Sequence, residues 1–230
     1  MFIRLGLEIG FENKRILCWG LDYPGCFTYG TDTAEALLKF PQTLLKHASW
    51  VALHTDQPWI ELTDMDFGVV ETFNVHNVQT DENSYEVNAF FKDDLRPLSE
   101  NEVNHALMLH QWQQEELLAG VETLPEHFVN QFFPGQLWNV KGIVSHIARA
   151  EKFYLNCLKM PSPDSTATDP FDLLDQQFQA VQNTLPGLVD LERQTSYMTE
   201  TWSPRKFVRR LLWHQRDHIG HIRELVDQYL

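Results

Sequence analysis

The chain has 230 residues, 43% hydrophobic and 12% aromatic, which leaves room for one large or two ordinary domains with a proper core and excludes a disordered or fibrous chain. Its formal charge of -14 would repel a phosphate backbone, and acidic residues outnumber basic ones on both sides of Pro97, so no nucleic-acid binding is expected. No apolar run reaches the ~20 residues of a bilayer span, the start MFIRLGLEIG lacks a secretory layout, and Cys18, Cys26 and Cys157 are odd in number without a CxxC pair; the expectation is a cytoplasmic protein with reduced thiols and no membrane association.

Residues 1–97 read mainly as short strands with one helical interruption. FIRLGLEI and RILCWGL alternate or run apolar, and DYPG at 22–25 is a turn in which proline presets φ and glycine relieves steric restriction. In TDTAEALLKFPQTLL, Asp32 is an N-cap with Glu35 three residues on, and Ala34, Leu37, Leu38, Leu44 and Leu45 follow at helical spacing. Pro41 should kink or break that helix. FGVVETFNV and YEVNAFF read as two further strands on either side of the turn-rich QTDENS.

The stretch LDYPGCFTYGTDTAEALLKF resembles the HicB-like family, whose small β-β-β-α-β domain has a proline-glycine turn, a threonine cap and an EAL helix start. The resemblance implies an α+β domain over 1–97, a small antiparallel sheet with a helix, and a scaffold or protein-contact role. Family members act as antitoxins on a small RNA-cleaving partner and usually carry a DNA-binding tail. Here Pro41 interrupts the helix and a different segment replaces the tail, so the fold is carried over and the antitoxin role is not.

From residue 98 the period becomes helical. Ser99 and Glu102 form a reciprocal cap straight after Pro97, and Val103, Ala106, Leu107, His110, Leu117 and Val121 keep the spacing as far as LPEHF and FFPG. A second helix is read over 137–158 on Val140, Ile143, Val144, Ile147, Glu151, Tyr154 and Leu158. Asp169 and Pro170 open a third, carrying Phe171, Leu174, Phe178, Val181 and Leu185 up to Pro186-Gly187. Ser203 and Pro204 open the fourth, with Phe207, Leu211, Leu212, Ile219, Ile222, Leu225 and Val226 available for a core. Its Arg205, Lys206, Arg209, Arg210 and Arg216 read as a solvated outer face in preference to an anion site. Four amphipathic helices with one or two longer connections predict an all-α four-helix bundle over 98–230.

In LLWHQRDHIGHIREL, His214, His218 and His221 fall within an arc of about 60° on the fourth helix. The i, i+4 spacing lets two imidazoles on one face reach the same divalent ion. A site needs a ligand from another helix, and His146 in WNVKGIVSHIARAEKFYL, beside Ile143, Ala150 and Phe153, is the candidate. His105 and His110, five apart, do not share a face well and are left outside.

WNVKGIVSHIARAEKFYL together with HQRDHIGHI is similar to the DinB-like family of four-helix bundles, whose members have a tryptophan-led second helix with one histidine and an H-x-x-x-H pair in the last helix. The resemblance covers residues 98–230 and implies a metal triad of His146, His214 and His218, behind the leading Trp138. His221 stands where the family commonly has a glutamine, after the glycine matched by Gly220; it could be a hydrogen-bond partner of the ligands, a substrate contact or a fourth ligand.

Three imidazoles suit zinc, nickel or iron and leave a position open, where water can ionise near pH ~7 or a thiolate can be activated. The resemblance implies metal-dependent hydrolases and small-thiol transferases acting on a small molecule. Glu151 and Asp217 are the nearby carboxylates that could serve as base or hold a ligand in place. Trp138, Tyr154, Trp202 and Trp213 read as core before pocket lining. The rival reading is a non-catalytic binding or regulatory module whose HicB-like half contacts a protein partner, and a homodimer is compatible with both.

Overall fold

The computed structural model describes residues 1–79 and 84–230. In chain order the N-terminal half contains β1 (Phe2–Gly10), β2 (Arg15–Gly20), β3 (Phe27–Gly30), α1 (Thr33–His54), β4 (Asp66–Asn74), β5 (His76–Gln79) and β6 (Ser84–Val87). The helical half contains α2 (Glu100–Glu122), α3 (Val140–Cys157), α4 (Pro170–Thr184) and α5 (Pro204–Tyr229), with the hairpin β7 (Thr195–Tyr197) and β8 (Glu200–Trp202) before the last helix. The middle of the QTDENS turn lies outside the described residues.

The first sheet has the order β3-β2-β1-β4. It is mixed, which corrects the expected antiparallel sheet: β1 pairs antiparallel with β2 but parallel with β4. The reason is the crossover. Helix α1 carries the chain from β3 past β2 and β1 to the far edge, and a strand reached through a helical crossover returns in the direction of the one it left. The DYPG turn forms as read: Cys26 N–H donates to Tyr23 C=O at 2.9 Å, and Gly25 takes a φ of +86°, which a side chain would oppose.

Both sheet faces are covered, so strands such as RILCWG run apolar instead of alternating. Ile3, Leu5, Leu7, Ile16 and Cys18 pack with Phe40 and Leu44 of α1, while Leu17 and Trp19 pack with Ala89, Phe91 and Trp213. The strand read over YEVNAFF therefore ends at Val87, because Ala89 and Phe91 turn inward onto the sheet. Phe91 lies on Gly6, where a Cβ would come within 2.9 Å of its ring.

Pro41 neither breaks nor ends α1, contrary to expectation; one helix runs from Thr33 to His54. Proline removes a single donor, and the buried Phe40, Leu44, Ala48 and Val51 on both sides of it hold the helix to the sheet. The Asp32 cap is present, its carboxylate accepting from Glu35 N–H at 2.8 Å.

In the helical half, α3 packs against α4 and α5, and α5 packs against α2. The cap of α2 forms in both directions: Glu102 N–H donates to Ser99 Oγ at 3.3 Å, and Ser99 N–H donates to the Glu102 carboxylate at 2.9 Å. Ser99→Ala is expected to lower stability by about 1 kcal/mol, read as a shift in the urea midpoint at unchanged slope. An unshifted midpoint would show that the cap is redundant.

The five cations of α5 do not form a solvated face. Arg205, Lys206, Arg209 and Arg210 are each at most 5% exposed, and Arg216 is half-buried. Arg205 meets Glu102 at 2.6 Å, Lys206 meets Glu200 at 2.5 Å, Arg209 meets Asp94 at 2.6 Å and Arg216 meets Glu116 at 2.7 Å. Except for Glu200, these acids lie about a hundred residues from their partners in the chain, so nothing local to α5 announces them. The sheet and residues 85–96 close over the first turns of α5, and one core cluster contains Ile3 and Phe40 beside Leu109, Phe207 and Leu211. Among the described residues, no helix is long and apolar enough to cross a membrane.

Candidate metal centre

Helix α3 starts at Asn139, whose side chain accepts from Gly142 N–H at 2.8 Å. Trp138, just before it, folds back so that its ring stacks on His146 at 4.3 Å; a Cβ on residue 142 would come within 2.9 Å of Trp138, so glycine there admits the tryptophan. From α5, His214 and His218 face the same point one turn apart.

The three imidazoles converge. His214 Nε2 lies 3.0 Å from His146 Nε2 and 3.2 Å from His218 Nε2, and ligand atoms from all three residues fall within 4.8 Å of one another. An imidazole nitrogen carries either one proton or one in-plane lone pair. His214 Nε2 can therefore satisfy one of its two neighbours by a hydrogen bond, but not both. Charging a ring is opposed as well: burial, with His218, His146 and Arg210 nearby, holds His214 well below the usual histidine range. Burial, with His146 and His221, takes His218 down to about 3, and burial with Arg149 lowers His146. Three uncharged imidazoles with ligand atoms this close together are a set that a divalent cation can take up.

His221 stands apart from this convergence. Its Nε2 lies 2.8 Å from Gln136 Oε1, and its ring is 6.0 Å from that of His218. The two candidate carboxylates are also carried away from the triad. Glu151 is buried against His110 Nε2 at 3.0 Å, with Gln182 at 3.0 Å on the other ring nitrogen and Phe178 stacked on the ring. Asp217 accepts from Tyr29 O–H at 3.0 Å, and its pKa is raised to about 6, by burial above all. Helical geometry accounts for both: Glu151 is five positions, about 140°, round from His146, and Asp217 about 100° round from His218.

Two of the three histidines border a cleft of ≈ 320 Å³. His146 and His214 share its wall with Tyr154, Trp202 and Arg210 of the helical half and with Tyr85 and Asn88 of the N-terminal half. No carboxylate lines it among the described residues. Tyr154 is buried there with its pKa pushed up to about 12 by desolvation, so its hydroxyl stays protonated and can donate. The three thiols are buried and shifted upward by desolvation, Cys18 and Cys157 to about 12, which leaves none as a ready nucleophile. Of the four aromatics singled out in the sequence, Tyr154 and Trp202 line the cleft, Trp138 supports His146, and Trp213 fills the contact between the halves beside Phe11 and Trp19. Tyr85, Asn88 and Gln136 carried no sequence signal, since each acts through a residue distant in the chain.

Buried neutral histidines make the metal-free fold sensitive to acid. Burial lowers His47 from 6.5 to about 4 and His218 to about 3, so below pH about 6.5 the unfolded chain takes up protons that the fold refuses. Asp217, raised to about 6, acts in the opposite direction between about 6 and 4, but His146 and His214, also lowered by burial, add to the loss. Stability should be flat just above pH 6.5 and fall below it, by up to roughly 1.4 kcal/mol per pH unit for each histidine. Urea midpoints between pH 8 and 4 test this, and a midpoint that rises on acidification would contradict it.

Residues 109–222, from within α2 to within α5, match the family model of the DinB superfamily, and the span includes all three converging histidines. The N-terminal half lies outside the matched span. No curated protein and no solved structure matches the chain.

Proposed function

We propose that this DinB-like chain holds one divalent metal ion on His146, His214 and His218 and uses it on a small molecule bound in the adjoining cleft. The observation that carries the reading is the pair of Nε2 contacts at 3.0 and 3.2 Å around His214, which neutral imidazoles cannot both satisfy by hydrogen bonding. The two separations at His214 suit the group: zinc–nitrogen bonds of ≈ 2.0–2.1 Å in tetrahedral geometry set nitrogens about 3.3 Å apart. Zinc, nickel and iron all accept such ligands. When bound, the ion would supply Lewis acidity at a position left open by the three ligands.

The chain's own residues do the rest. Trp138 orients His146, burial keeps all three rings unprotonated at neutral pH, and Tyr154 offers a hydroxyl that can donate a proton or a hydrogen bond. With no carboxylate lining the cleft, a base for activating water is missing from its described wall, and the protein's own thiols are inert. Both points favour transfer from a small thiol brought in as substrate over hydrolysis. Metal analysis of the purified protein tests the site. A screen of small thiols with electrophiles, run beside hydrolysable esters and amides, tests the reaction; turnover confined to the esters and amides would reverse the order of preference.

A binding module with a HicB-like protein contact is less well supported by the N-terminal half. That half spends β1, β2 and residues 85–94 on the helical half, and Tyr85 and Asn88 line the cleft. Its role in this reading is to build one wall of the site.

A further inference from the structure

We propose that Arg210 binds a carboxylate of the substrate, so that the cleft takes a small carboxylic acid whose reacting end reaches the histidines one helical turn away. The position of the reacting end rests on the metal reading above; recognition of the charge rests on Arg210. The arginine is 5% exposed, yet it lacks what its neighbours have. Arg205, Lys206 and Arg209 each hold a carboxylate at 2.6 Å or less, whereas Glu8 stays 3.8 Å from Arg210, and Glu200, which also acts on it, is taken up by Lys206 and Tyr85. Glu8 is held back by other donors, Trp19 Nε1–H at 3.0 Å and Ala89 N–H at 2.7 Å. Nε and Nη1 of Arg210 have no hydrogen-bond partner.

A guanidinium cannot discharge by losing its proton, and leaving buried donors unmatched is costly. The group is nonetheless held in place, its Cζ 4.2 Å over the Trp213 ring and Tyr154 beside it. Stacking leaves the buried Nε–H and Nη1–H unpaired on a residue that lines the cleft. The same cleft wall carries two more polar atoms without partners, Trp202 Nε1 and Asn88 Oδ1. Two unmatched donor groups and one unmatched acceptor suit a carboxylate with an N–H or O–H nearby. Arg210 and His214 are four residues apart on α5, which puts their Cβ atoms about 5–6 Å apart. The carboxylate and the reacting group of the ligand are therefore a few bonds from each other.

Two arginines line the wall, Arg210 and Arg149; carboxylate is favoured over phosphate because only Arg210 is buried, beside Phe153, Tyr154 and Trp202, while Arg149 is exposed and Lys206 and Arg209 are already paired. One unpaired guanidinium matches the single negative charge of a carboxylate and can give it a charge-assisted hydrogen bond.

The probes are succinate, succinamide and inorganic phosphate, titrated calorimetrically into the metal-free and the zinc-loaded protein. Succinate is expected to bind saturably in both forms and succinamide in neither, a comparison that needs no variant. Arg210→Met should weaken succinate by about tenfold or more, with Arg210→Lys in between. Absence of saturable succinate binding, equal binding of succinamide, tighter binding of phosphate, or indifference to Arg210→Met in a folded variant would each overturn the proposal. The two readings fail separately. Arg210-dependent succinate binding by a protein that takes up no zinc removes the metal reading alone; zinc uptake without succinate binding removes this one alone.

Discussion

His214→Ala is expected to abolish stoichiometric metal binding, with affinity reduced by more than about 100-fold, because loss of a ligand should exceed the 10–100-fold typical of losing a residue that merely supports one. His214 is the nitrogen at the centre of the cluster, buried, and in contact with both other rings. The substitution also removes the clash of lone pairs, so the metal-free variant should fold, which circular dichroism can check. His146→Ala and His218→Ala should weaken the metal similarly. His221→Ala should leave one equivalent bound, since its Nε2 is turned to Gln136, and Glu151→Gln should do the same, its carboxylate being turned to His110. Elemental analysis after dialysis against a chelator gives the result directly. One equivalent of metal retained by His214→Ala would remove the triad from consideration.

Asp94→Ala should destabilise the fold by about 3–5 kcal/mol, the range expected when one partner of a buried ion pair is lost. The Asp94 carboxylate is 1% exposed and receives Arg209 Nη2 at 2.6 Å, Arg209 Nε at 3.2 Å and the backbone N–H of Phe91 at 2.8 Å. Its removal strands a guanidinium that cannot shed its proton and frees the turn that lays Phe91 on the sheet. Glu200→Ala makes the informative comparison. Lys206, its partner, already has its pKa lowered to about 8, chiefly by burial, and can become neutral once the carboxylate is gone. Its cost should therefore be smaller than that of Asp94→Ala at pH 8, and the gap should widen as the pH rises. Denaturant unfolding at pH 7 and 9 measures both. Equal losses at both pH values would mean that packing, and not charge, dominates this contact.

Features whose physics is local are legible in the sequence. The Ser99–Glu102, Asp169 and Ser203 caps, each satisfied within its own first turn, mark the starts of α2, α4 and α5. The tryptophan-led helix and the H-x-x-x-H spacing brought His146, His214 and His218 forward as a set, and the DinB superfamily match covers them. Pro41 misled because a proline's local penalty is outweighed by a helix face buried along its whole length. Glu151 and Asp217 misled because nearness in sequence is not nearness on a helix.

Amphipathic period and capping chemistry, both encoded within a few residues, determined from the sequence alone that there are four long helices in the second half and that three histidines can share one side of them. Only the tertiary structure decided which charges are buried, that the sheet is mixed, and that Tyr85 and Asn88 close the cleft. The basic run of α5 shows the difference most clearly. Its charges looked like a surface because the acids that accompany Arg205, Arg209 and Arg210 into the interior come from β1, the segment after β6 and α2, brought together by packing across a hundred residues or more. Arg210 is left short of a partner by the same packing, because the donors of Trp19 and Ala89 hold Glu8 back from it.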